Sequence, residues 1–141
     1  MLPQIKTFVM NHWALCGLFL LILLALITEE IRVARSRSNF LTSFSVTQLI
    51  NHESAIILDV RDPLQFRAGH IVNAKNIPLA DFDREIEKLP ANRPLIIVDA
   101  LGDKALTLIE RLTAKGFQRV YALKGGMETW KVDGLPVKGE R

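Results

Sequence analysis

Between Phe8 and Thr28 the chain runs for 21 residues without Asp, Glu, Lys or Arg, and no other feature limits its fold so sharply. At a helical rise of about 1.5 Å per residue this stretch reaches roughly 31 Å, the thickness of a bilayer's hydrocarbon core. Asn11, His12 and Trp13 suit one interface, and Glu29 and Glu30 mark the other. Two plainer readings fit less well. A cleaved signal peptide needs a basic leading region and a small-residue cleavage site, yet only Lys6 precedes the run and Ile27-Thr28-Glu29-Glu30 closes it. A buried helix of a small soluble domain is rarely apolar on every face over such a length.

The flanking charges set an orientation. Lys6 stands ahead of the run, whereas Arg32, Arg35 and Arg37 follow it. That bias places the carboxyl-terminal side in the cytoplasm and draws the arginines towards anionic headgroups. The expected organisation is a short non-cytoplasmic tail over residues 1–7, a single spanning helix over 8–28, a basic juxtamembrane tether over 29–41, a domain over 42–138 and a tail over 139–141. The sole cysteine, Cys16, falls inside the apolar run, where it reads as a small packing residue. One cysteine permits no disulfide within the chain and no zinc spacing.

The formal charge of +3 hints at nucleic acid until it is divided by segment. Residues 41–141 hold 14 Lys and Arg against 13 Asp and Glu, with no basic helix or aromatic-interleaved stripe, so nucleic-acid binding is not expected.

That segment alternates β-branched runs with helical patterns, the signature of an α/β domain. Residues 55–60 and 95–98 read as strands apolar on both faces, which suits central parallel strands covered by helices. Asp62 caps a short helix over 64–68, with Pro63 at its first position and Gly69 as a left-handed stop. Phe82, Ile86 and Leu89 mark one helical stripe; Ala105, Leu108, Ile109 and Leu112 mark another, ending near Gly116. A strand over 117–123 and a short helix over 47–51 complete the pattern.

Ligands gather beyond the carboxyl ends of parallel strands, so the loop Asp99-Ala100-Leu101-Gly102-Asp103-Lys104 is the candidate site. Its amides and the following helix amino terminus can converge on a small anion. Asp59, Arg61 and Arg67 form a candidate rim, with Asp59 and Arg61 better suited to an ion pair than to proton transfer. With Lys104, the two arginines would favour an acidic peptide; an exposed apolar row would favour hydrophobic docking instead. His70 reads as a satisfied turn residue, Gly125-Gly126 as a tight backbone passage and Trp130 as a core or lid contact. Paired carboxylates at Asp59 and Asp99 are too few for a magnesium site on their own, and no Ser-His-Asp arrangement is evident.

Taken in order, Asp59-Val60-Arg61, Gly69-His70-Ile71 through Asn73-Ala74 to Asn76-Ile77-Pro78, the 94–98 strand with its loop, and Gly125-Gly126 before Trp130 resemble the rhodanese-homology domain. The resemblance covers roughly residues 42–138 and extends to the membrane-anchored single-domain members of Gram-negative bacteria. It implies a three-layer fold with a central, mainly parallel sheet. It also implies that an active member carries a persulfide-forming cysteine at the start of the loop after the 94–98 strand. Here that position is Asp99. A carboxylate cannot carry a transferable sulfur, and near its ordinary pKa of about 3.9 it would repel an anionic donor.

The carboxylate is expected instead to fold onto the amides around residues 101–103 as a plug; exposure to solvent is the alternative. Catalytic residues, metal and cofactor are therefore not expected. The expected role is a catalytically inactive interaction or adaptor module at the bacterial inner membrane, with the lipid bilayer and a membrane-associated protein as its partners. The alternatives are a sulfur-transfer accessory using a thiol supplied by a partner, and a purely structural oligomer component.

Overall fold

The computed structural model describes residues 2–139, apart from the side chains of residues 2, 3 and 35–37. Met1, Glu140 and Arg141, which belong to the two expected terminal tails, lie outside the described residues. The chain divides into two units between Arg37 and Ser38.

The first unit is helical. Helix α1 covers Leu2–Asn11 and α2 covers Trp13–Ser38. The hydrogen bonds from His12 N to Phe8 O and from Cys16 N to His12 O, both 3.0 Å, carry the helical ladder past His12. Within α2, the 22 residues Trp13–Ala34 are long and apolar enough to cross a membrane. Residues 29–41 are the basic juxtamembrane tether expected from the sequence. The helix runs through most of it, to Ser38, because no Gly or Pro interrupts residues 29–38.

In the second unit, strand β1 is Phe40–Leu41, two residues ahead of the expected domain start. It is held by bonds from Ala122 N to Asn39 O and from Lys124 N to Leu41 O. Helix α3 spans Ser43–Glu53, earlier and longer than expected, because Thr42 caps it by accepting a hydrogen bond from Ser45 N. Then come β2 (Ile56–Asp59), α4 (Pro63–Ala68), β3 (His70–Ile71) and β4 (Lys75–Asn76). A composite helix follows, a 3₁₀ turn on each side of α5 (Phe82–Glu85). The chain continues through β5 (Leu95–Val98), α6 (Ala105–Ala114), β6 (Val120–Leu123), α7 (Gly126–Val132) and β7 (Val137–Lys138).

Five strands make one sheet in the order β1-β6-β5-β2-β4, with every pairing parallel. The short β3 and β7 pair antiparallel to one another. All four side chains of β5 are buried, as a central strand covered on both faces requires. Its alternation divides the core. Leu95 and Ile97 join Leu58, Phe82, Ile86 and the α6 stripe of Ala105, Leu108, Ile109 and Leu112 on one face. Ile96 and Val98 join Val46, Leu123, Met127 and Trp130 on the other. This is the three-layer α/β arrangement expected from the sequence.

Gly69 departs from expectation. Its φ of 168° is extended, so it is not a left-handed stop. What excludes a side chain there is space, since a Cβ would lie 2.9 Å from Cγ1 of Val137 on β7.

Ser43 Oγ is buried and has no hydrogen-bond partner. An unsatisfied buried hydroxyl costs about 1–3 kcal/mol. Ser43→Ala is therefore expected to stabilise the domain by about 1 kcal/mol, read as a higher midpoint in urea unfolding of the detergent-solubilised chain.

Candidate functional site

Strands β2 and β5 lie in parallel register with Asp59 opposite Val98, so their carboxyl ends are level. The hydrogen bond from Val60 N to Val98 O, 2.9 Å, extends that pairing by one residue. Beyond this edge lies a cavity of about 340 Å³, walled by residues 60–62, Gln65, Pro78, Leu79, Asp99, Ala100, Asp103 and Lys104.

Asp99 is 3% exposed. Its Oδ1 accepts from Gly102 N at 2.6 Å and its Oδ2 from Lys104 N at 2.9 Å. The carboxylate thus turns back onto its own loop, as the plug expectation holds. The amides it engages are those of Gly102 and Lys104. The expectation of an ordinary acidity fails. Burial pushes the Asp99 carboxyl above its ordinary value; the two amide bonds oppose that shift, and the neighbouring Asp103 carboxylate adds to it.

The loop backbone is fixed from α7. Met127 N donates to Asp99 O at 2.8 Å and Glu128 N to Ala100 O at 3.2 Å. Gly126 has a φ of +61°, and a Cβ on it would lie 2.5 Å from Asp99 O. Both conformation and space therefore demand glycine there. Trp130, read as a core or lid contact, is buried, and its indole N–H donates to Pro136 O at 3.1 Å.

Asp59 and Arg61 form a buried pair beneath the cavity. Arg61 Nη2 donates to Asp59 Oδ2 at 2.6 Å and to Gly69 O at 2.7 Å, while its Nε donates to Asp59 Oδ1 at 3.0 Å. Asn76 Nδ2 ties the same corner together by donating to the carbonyls of Asp59 and Arg61. The expected rim is therefore only partly assembled. Arg61 lines the cavity with its charge already matched, Asp59 is 0% exposed, and Arg67 stands exposed on α4 outside the wall. His70 places Nδ1 2.8 Å from Phe66 O and stacks on the Phe66 ring, a turn-fixing role.

Asp62, Gln65, Pro78 and Leu79 also line the cavity, and no motif in the sequence marks them as part of the site. Asp62 Oδ1 caps α4 by accepting from Leu64 N and Gln65 N, both at 3.0 Å. That capping signal was legible; its placement at a cavity wall depends on the level ends of β2 and β5. Among the described residues, no group of three or more His, Cys, Asp or Glu is placed to hold a metal ion.

Comparison with known proteins agrees with this geometry. Residues 45–133 match the Rhodanese-like domain family. The chain belongs to that family. The protein YibN of Escherichia coli strain K12 is 30% identical over 140 residues, covering 96% of this chain and 97% of its own. An uncharacterized protein of Buchnera aphidicola from Acyrthosiphon pisum is 32% identical over 133 residues and 92% of each chain. The thiosulfate sulfurtransferase GlpE of Pseudomonas syringae is 34% identical over 87 residues, covering 60% of this chain and 79% of its own. Among solved structures, the Alr3790 protein from Anabaena superposes with a TM-score of 0.65 at 29% identity, covering 71% of this chain and 82% of its own.

Two outcomes test the rhodanese-like site. Removing one partner of a buried ion pair strands the other charge, so Arg61→Leu is expected to cost about 3–5 kcal/mol in unfolding free energy. For Asp99, the native carboxyl holds its proton to higher pH than the unfolded one, whose ordinary value is 3.8. Its contribution to stability is fully present below that value and is lost as pH rises through the native pKa. The stability of the wild type relative to Asp99→Asn is therefore expected to fall as pH rises above 3.8 and then level off, measured by urea unfolding across a pH series.

Proposed function

We propose that this rhodanese-like protein is a catalytically inactive interaction module. Its apolar helix tethers it to the bacterial inner membrane, its carboxyl-terminal domain faces the cytoplasm, and it binds a membrane-associated protein partner. The observation that carries this reading is the Asp99 carboxylate, whose two oxygens hold the amides of Gly102 and Lys104. The resemblance assigns this position to the cysteine that carries sulfur in active members. A sulfane sulfur is transferred when a thiolate attacks it, forming a new sulfur–sulfur bond as the donor's own sulfur–sulfur bond breaks and its remainder, sulfite in the case of thiosulfate, departs with the electron pair. A carboxylate oxygen cannot reproduce that step. The one cysteine, Cys16, lies in the apolar helix, where a low-dielectric setting disfavours thiolate.

The arginines after the apolar run support the orientation, and the tether supports a partner that is itself at the membrane. The purified full chain in detergent is expected to form no thiocyanate from thiosulfate and cyanide. Photo-crosslinkers at Leu101 and Lys104, both exposed on the loop, should capture one reproducible membrane-associated protein in cells. Thiosulfate turnover by the lone chain at the rate of an active family member overturns the reading. Turnover that appears only when a thiol-bearing partner is added transfers the assignment to a sulfur-transfer accessory.

A further inference from the structure

The cavity wall carries Asp62, Asp99 and Asp103 against Arg61 and Lys104, an acidic excess where the sequence suggested a basic rim. An anion-binding site at a strand end draws on open amides and free cations. Three groups that could serve here, the amides of Gly102 and Lys104 and the Arg61 guanidinium, are used internally, which leaves the Lys104 ammonium as the wall's exposed cation. Gly102 N and Lys104 N are bound by Asp99. The Arg61 guanidinium is bound by Asp59 and by Gly69 O. With the Asp59–Arg61 pair neutral, the exposed charged residues lining the cavity are Asp62, Asp103 and Lys104, and inward-turned Asp99 adds a third carboxyl. Asp62 uses one oxygen, Oδ1, to cap α4. The remaining lining includes apolar surface from Pro78 and Leu79, the latter 40% exposed.

From this charge complementarity we propose that the cavity beside Asp99 receives a basic side chain, lysine or arginine, from a partner protein, with an adjacent apolar partner residue resting on Leu79. This rests on the interaction-module reading above and names the chemistry of the partner at that site. A cavity of about 340 Å³ accommodates one such side chain but no folded element. Asp62 and Asp103 supply its counter-charge. The shift of Asp99 supports the assignment, because a carboxyl raised by burial and by a neighbouring carboxylate is relieved by an incoming cation. The acidic peptide suggested by the sequence is disfavoured, since the arginines meant to hold it are paired or outside the wall.

The test uses the full chain in detergent micelles and an acetylated, amidated hexapeptide of alternating leucine and arginine, titrated calorimetrically. A leucine–glutamate hexapeptide and thiosulfate serve as comparison probes. The basic peptide is expected to bind, and Asp103→Asn and Asp62→Asn are each expected to weaken it about tenfold. Asparagine caps a helix as well as aspartate does, so Asp62→Asn keeps α4; unchanged thermal unfolding of both variants confirms that the fold is intact. Binding of the acidic peptide or thiosulfate in preference overturns the proposal. So does basic-peptide binding that neither variant weakens, or no binding at all. Self-association of the chain that Asp103→Asn abolishes also overturns it, in favour of a second copy as the occupant. Apart from self-association, which favours the structural-oligomer alternative, these results leave the interaction-module reading standing, since that reading is decided by the thiocyanate and crosslinking assays.

Discussion

Two backbone amides, those of Gly102 and Lys104, converge on the carboxylate of Asp99 where parallel strands β2 and β5 end level with one another. Two of the loop's amides are satisfied from within by charge-assisted bonds that tie the loop to its own first residue. Burial opposes those bonds and, with the neighbouring Asp103 carboxylate, raises the Asp99 pKa above its ordinary value. The loop is thus closed by a group that carries an electrostatic penalty of its own.

Much of this arrangement was legible in the sequence because the deciding signals are local. The run 95–98 became a fully buried strand, and the stripe Ala105, Leu108, Ile109 and Leu112 faced the core as its spacing requires. Asp62 before Pro63 announced α4, and Asp59 with Arg61, two residues apart, announced an ion pair. The order of short motifs from Asp59 to Trp130 was enough to place the chain in its family, although each motif alone is weak.

What the sequence did not yield depends on distant partners. Gly69 looked like a left-handed stop because of its neighbours, whereas its role is set by Val137, which packs against it from β7. Arg61 and Arg67 looked equivalent as rim cations. Their difference arises because one is captured by Asp59 and a main-chain carbonyl and the other projects from α4. Pro78 and Leu79 reach the cavity only because β4 pairs with β2 and delivers them there. Helix α3 began four residues early because Thr42 supplied a cap that the hydrophobic pattern does not register.

The attachment of the loop to α7 separates architecture from chemistry. Because Met127 and Glu128 grip main-chain oxygens and Gly126 presses against the same peptide, the path of residues 99 and 100 is dictated by a helix nearly thirty positions downstream and not by the identity of the side chain at its head. A scaffold built in this way holds the head of the loop through main-chain contacts, so the place at the strand end is laid out by the framework before any particular side chain fills it.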